Sequence, residues 1–181
     1  MDKIGHERLL LQDHVCNIMN WSTERGIDKC SSKKQLYKIV EEVGELTSAY
    51  LKNDLDKFMD AIGDVFIAIT IFCQQESLKV MEFYYPAEYC ADFNQALNRL
   101  ILSTADMFTY NWHIKSITNL LGSLSDCARL RNVSMVCCVE KSWNEIKDRK
   151  GKIIDDMWVK KEDLGCCLLY TSPSPRDLST S

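Results

Sequence analysis

The stretch KQLYKIVEEVGELTSAYLKNDLDKFMDAIGDVFIAITIFCQQ, residues 34–75, decides the fold. Its first half places Leu36, Ile39, Val40, Val43, Leu46 and Tyr50 at the period of an amphipathic helix over about 34–52. Asn53-Asp54 supplies a turn and a helix cap. The second half repeats the pattern with Leu55, Phe58, Ile62, Val65, Ile69 and Phe72, predicting a helix over about 55–75. So short a connection makes the two helices antiparallel neighbours.

Outward from this hairpin the signals stay helical. Apolar positions 9, 10, 11, 15, 18 and 19 predict a helix over 6–20, and Ser31 or Ser32 can cap the hairpin's first helix. A loop at 82–85 precedes the break at Pro86, and helical patterns resume at about 88–108, 112–130 and 134–149. Gly151 stands where a left-handed helix end favours glycine. Residues 81–85 are a weak strand candidate, and there is no internal repeat. The reading is an all-α bundle of about five helices forming a single domain over 1–166.

Composition agrees. The 181 residues are 46% hydrophobic, too apolar for a disordered chain, and 7 glycines with 3 prolines argue against a fold of many tight turns. A net charge of -4 gives no reason to expect duplex nucleic acid as the main partner, which needs clustered Lys/Arg. The longest apolar run, Val65 to Cys73, falls far short of the ~20 residues a membrane helix needs. The mixed charges before Leu9 do not form a secretory signal, so a soluble cytoplasmic protein is expected. Nine cysteines without a Cys-x-x-Cys read as free thiols, not as a disulfide or zinc framework. Residues 167–181 differ in composition and resemble the in-frame translation of a sequencing-library adapter; they are expected to be a disordered, non-native tail outside the domain.

The chemistry lies in four acids of the hairpin. Glu42 and Glu45 are spaced i, i+3, Asp60 and Asp64 i, i+4, so each pair shares a helix face. Counted from the turn at ~1.5 Å per residue, Glu45 matches Asp60 in depth and Glu42 matches Asp64. Four carboxylates then converge in one cleft, where like charges raise one another's pKa unless a cation neutralises them. Hard oxygen donors without His or Cys favour Mg²⁺, with Mn²⁺ as the other candidate. Gly44 and Gly63, each costing ~1 kcal/mol in mid-helix, would let the backbones approach or leave room for a ligand. A di-iron bundle would need Glu-x-x-His, and no histidine here has Glu three residues before it.

Glu41-Glu42-Val43-Gly44-Glu45, a spacer, then Ile62-Gly63-Asp64-Val65 resembles the MazG-like nucleoside triphosphate pyrophosphohydrolases, an all-α superfamily that includes the dimeric dUTPases. The segments at Trp21–Ile27 and Trp143–Lys152 are similar to phage-borne members, while 82–133 is less alike. The resemblance implies a metal-binding hairpin, Mg²⁺-dependent release of pyrophosphate from a nucleoside triphosphate, a homodimer or homotetramer, and a bacterial or phage-infected host cytoplasm. It places metal ligands on Glu42, Glu45, Ala61 and Asp64; Ala61 replaces the usual glutamate, and Asp60 is expected to supply the missing carboxylate. Glu41 or Glu45 is the candidate base. Asn144 and Lys147 fall near the nucleotide, with Arg149 at the helix end, although cations there also suit a helix dipole. Lys38 is a substrate-binding candidate or a plain i, i+4 partner of Glu42. Trp21 is a base-stacking candidate or a core residue. A dUTPase-like specificity, a non-catalytic nucleotide- or alarmone-binding protein, and a purely structural bundle stay open as alternatives.

Overall fold

The computed structural model describes residues 3–85, 90–109 and 114–164. Among the described residues six α-helices form the body: α1 (Lys3–Glu24), α2 (Ser32–Leu51), α3 (Leu55–Gln75), α4 (Phe93–Asp106), α5 (Ile114–Leu130) and α6 (Met135–Ile146). The all-α bundle expected from the sequence is what forms, and each of the six helical segments read from the pattern has its counterpart among α1–α6. The expected tail at 167–181, Pro86 and His113 lie outside the described residues.

α3 is the axis of the bundle. It packs most extensively on α2 and α6, touches α1 and α5, and leaves α4 to pair with α5. The sequence suggested one apolar stripe on α3, but every residue from Val65 to Cys73 is buried, because neighbours surround the helix. Leu55, at its exposed start, is not part of that core. On α2 the stripe holds at Leu36, Ile39, Val43 and Leu46, whereas Val40 is exposed. Tyr50 stacks on Phe93 of α4, with ring centroids 4.2 Å apart.

The turn between α2 and α3 forms as its chemistry requires. Asn53 takes φ +50°, a left-handed conformation that asparagine tolerates. The Asp54 carboxylate caps α3 by accepting the Lys57 backbone N–H at 3.1 Å. Ser31 occupies the cap position of α2, but its hydroxyl makes no capping bond. Asp92 caps α4 through the Gln95 N–H at 2.9 Å, which starts that helix at 93 and not at 88.

Two expectations near the chain's end are corrected. Gly151 does not close α6 in a left-handed turn; it opens strand β1 (Gly151–Ile154), paired antiparallel with β2 (Met157–Lys160). A Cβ at 151 would stand 2.3 Å from the Val159 carbonyl oxygen and 2.7 Å from the Trp158 ring, so close cross-strand packing requires the glycine. Asp155 and Asp156 form the hairpin turn, both with positive φ. The strand candidate at 81–85 is instead a 3₁₀ turn over Val80–Glu82. All seven described cysteines are free thiols, and burial pushes Cys73, Cys127 and Cys138 each up to about 12, which makes those three poor nucleophiles. Among the described residues no helix is long and apolar enough to cross a membrane.

Candidate functional site

A cleft of about 240 Å³ runs along the α2–α3 hairpin and is closed by α6, the end of α1 and the β-hairpin. On α2 its wall is Lys34, Gln35, Lys38, Glu42 and Glu45; on α3 it is Asp60, Asp64, Ile67, Ala68 and Ile71. These positions recur every three or four residues, so one face of each helix looks into the cleft. The antiparallel pairing is fixed partly by Gln35, whose Nε2 donates to the Ala68 carbonyl at 3.1 Å. The cleft therefore has two ends. Towards the Asn53-Asp54 turn it is acidic; towards Ser31 and Ile71 it meets Trp21, Met157 and Trp158, with Lys34, Asp156 and Lys160 beside them.

All four carboxylates expected to converge line this cleft. Glu42 is 6% exposed, and its Oε1 lies 2.7 Å from the Lys38 ammonium. Burial pushes its carboxyl up, against the pull of Lys38 and helped by Glu45 and Glu41. Burial alone would lower Lys38, but the Glu42 and Glu41 carboxylates outweigh it and the ammonium is raised. Asp64 is pushed up to about 7 by burial, then by the Glu42 and Asp60 charges, with Arg149 and Lys38 pulling the other way. Asp60 is also raised, first by burial and then by Glu145.

The acids share a wall without forming a ready cage. Among the described residues no three His, Cys, Asp or Glu side chains stand close enough together to hold a metal ion. The donor chemistry of the four acids still fits a hard cation, because Glu42, Glu45, Asp60 and Asp64 all offer carboxylate oxygens and together carry more charge than Lys38 and Arg149 offset.

The glycines separate by role. A Cβ on Gly63 would lie 2.2 Å from Ser142 Oγ and 2.3 Å from the Cys138 carbonyl oxygen. Gly63 thus admits α6, not α2, while a Cβ on Gly44 would meet open space. The close approach brings Ser142 to Asp60: its Oγ donates to the Asp60 carbonyl at 2.8 Å and lies 3.4 Å from Oδ1. Ala61, 4% exposed, belongs to the core and does not line the cleft.

Several expected residues lie elsewhere. Glu41 is exposed, does not line the cleft, and pairs with Lys38 at 2.8 Å. Asn144 and Lys147 are exposed and bond to each other at 2.8 Å, outside the cleft. The face of α6 that meets the cleft is one residue away in phase, at Glu145 and Ile146, and continues to Arg149. Arg149 Nη2 lies 3.8 Å from Glu145. Trp21 is 7% exposed, as expected of a core residue, and its ring also forms part of the cleft wall.

Lys34, Glu145, Asp156, Met157, Trp158 and Lys160 were missed. The signal for the hairpin was Lys152-Ile-Ile-Asp-Asp-Met-Trp-Val-Lys160, two apolar runs around a two-residue turn. Aspartate pairs make such turns less conspicuously than Asn-Gly.

Fold and cleft define an α-helical bundle with an acid-lined hairpin cleft. No protein-family model matches the chain, and no solved structure matches it. An uncharacterized 18.2 kDa protein from the rep-hol intergenic region of Haemophilus phage HP1 is 36% identical over 69 residues, which is 38% of this chain and 42% of that protein. The chain thus spans well under half the length of this phage relative.

Proposed function

We propose that the protein is a Mg²⁺-dependent nucleoside triphosphate pyrophosphohydrolase, converting a nucleoside triphosphate and water to the monophosphate and pyrophosphate. The observation that carries this reading is the two-ended cleft, with the four carboxylates of the hairpin at one end and an aromatic wall flanked by Lys34 and Lys160 at the other. Glu42, Glu45, Asp60 and Asp64 would hold the metal, which when bound supplies charge neutralisation at the phosphates and a more acidic water. Lys38 and Arg149 provide positive charge for phosphate oxygens. Glu45 takes the base role in preference to Glu41, because it lines the cleft and Glu41 does not. The similarity to a phage protein accords with a phage-encoded enzyme acting in a host cell.

A homodimer or homotetramer is part of the same reading. Tyr37, Val40 and Leu51 leave apolar surface on α2, as do Ile101 and Leu102 on α4. Sedimentation velocity tests this, and a monomer at micromolar concentration refutes it.

The decisive assay is a panel of NTPs and dNTPs with Mg²⁺, resolved by anion-exchange chromatography. Monophosphate and pyrophosphate without diphosphate are expected, with turnover abolished in Glu42→Gln. A strong preference for dUTP would assign a dUTPase-like specificity. The second reading is a non-catalytic nucleotide- or alarmone-binding protein, favoured by the lack of a ready metal cage among the described residues and by Ala61 in the core. Nucleotide binding without turnover would select it.

A further inference from the structure

The β-hairpin is unaccounted for by the acidic chemistry, yet it forms a wall of the cleft through Asp156, Met157, Trp158 and Lys160. It is held there from several sides. Lys34 Nζ donates to the Asp155 carbonyl. Ile153 packs over Gly26, and the chain leading to the hairpin is tied down by Arg25, which donates to the carbonyls of Lys147 at 3.2 Å and Arg149 at 3.4 Å. Trp158 meets Trp21 edge-on, with centroids 6.1 Å apart and planes at 70°.

The two rings are not equivalent. Trp21 is 7% exposed, and the Arg25 guanidinium sits over it, 4.8 Å from the centroid. Trp158 is only partly buried, so it retains surface to offer a ligand. Trp21 adds a polar requirement: its indole N–H is buried and finds no acceptor among the described residues. A ligand suited to this end is flat, presents a π face, and carries acceptors on its edge.

A nucleobase has those properties. We infer that the β-hairpin is the nucleoside-binding wall of the cleft, with Trp158 the platform for the base and Trp21 the donor at its edge. This rests on the reading of the acidic end as the phosphate end. Lys34 and Lys160, on the same stretch of wall, suit the partial negative charge of base carbonyls or ring nitrogens.

The test is calorimetric titration of the full chain, with Ca²⁺ present, using the nucleoside monophosphates dAMP, dGMP, dCMP, dTMP and UMP and, separately, inorganic tripolyphosphate. Trp158→Ala is expected to weaken the best-bound nucleotide about tenfold or more, the range of base–aromatic stacking, and to leave tripolyphosphate unchanged. Trp158→Phe keeps a ring and is expected to retain most nucleotide binding, with an unchanged melting temperature. Nucleotide binding unaltered in Trp158→Ala overturns the inference, as does joint loss of nucleotide and tripolyphosphate binding in a folded Trp158→Phe. Wild-type protein that binds monophosphates through Trp158 but hydrolyses no triphosphate refutes the pyrophosphohydrolase reading alone. Hydrolysis with an unchanged KM in Trp158→Ala refutes the platform alone. Wild-type protein that binds no nucleotide overturns both.

Discussion

Replacing Asp64 by Asn should stabilise the metal-free protein at neutral and alkaline pH. Asp64 sits among Glu42 and Asp60 in the cleft wall, and its carboxyl moves from an ordinary 3.8 to about 7 in the folded chain. At ~1.36 kcal/mol per pH unit, holding that group ionised costs the folded state on the order of 4 kcal/mol. The sign follows from the raised value. Well below the unfolded value of 3.8 the group is protonated whether the chain is folded or not, and it costs nothing. As pH rises through 4 to 7 the unfolded chain releases the proton first, so folding stability falls; above about 7 the loss is complete. Asparagine has nearly the same shape and no charge. Urea denaturation in EDTA from about pH 3 to pH 8.5 should therefore show wild type and Asp64→Asn nearly equal at the acid end and separated by about 4 kcal/mol at the alkaline end. Millimolar Mg²⁺ should restore much of the wild-type stability at pH 8 and do little for the variant. Parallel stability curves for the two proteins across that range, or a variant less stable than wild type at pH 8, would refute the view that ionised Asp64 is held in the metal-free cleft at a cost set first by its burial and then by the Glu42 and Asp60 charges.

Three further outcomes follow from the geometry. Arg149→Ala should raise KM for nucleoside triphosphate roughly tenfold, the worth of a hydrogen bond to a charged group, while Lys147→Ala leaves it unchanged; the reverse ranking in steady-state kinetics would restore the other face of α6 to the site. Gly63→Ala should destabilise by ~2 kcal/mol in urea titration despite the better helix propensity of alanine, because the new methyl meets the Cys138 carbonyl and Ser142. Ala61→Glu, which would recreate the glutamate of the family this sequence resembles, should cost ~3 kcal/mol and add no turnover, since residue 61 lies in the core; higher Mg²⁺-dependent activity in that variant would overturn the assignment of Asp60.

Much of the fold was legible because the helices depend on short-range patterns. The α2–α3 hairpin was readable to within two residues, since a clear 3.6 period flanks a turn with its own chemistry at Asn53 and Asp54. The burial of α3 on nearly all sides was not, because periodicity reports one stripe and cannot show how many neighbours a helix acquires. The β-hairpin escaped for a different reason. Its strands have four residues each, too short for a period to outweigh the helical pattern before them, and its turn uses Asp155-Asp156.

Legibility of the site fell with the precision of helical phase. On α2, residues 38, 42 and 45 were assigned to one face and occupy it; Glu41, one residue off, is carried to the shoulder. On α6 the same ~100° step per residue separates Asn144 from Glu145, and the face picked out by the resemblance, with Asn144 and Lys147, is not the one that lines the cleft. The step also explains Asp60. The cleft face of α3 passes through 60, 64, 67, 68 and 71, which leaves position 61 in the core against other helices. A glutamate at 61 would have to extend from that buried position, whereas an aspartate at 60 lies on the face already and is met by Ser142. Gly63 permits that meeting by letting α6 close on α3. Ala61, Asp60, Gly63 and Ser142 are therefore one arrangement: Gly63 lets α6 close on α3, Ser142 meets Asp60 at the edge of the cleft, and Ala61 stays in the core between the helices.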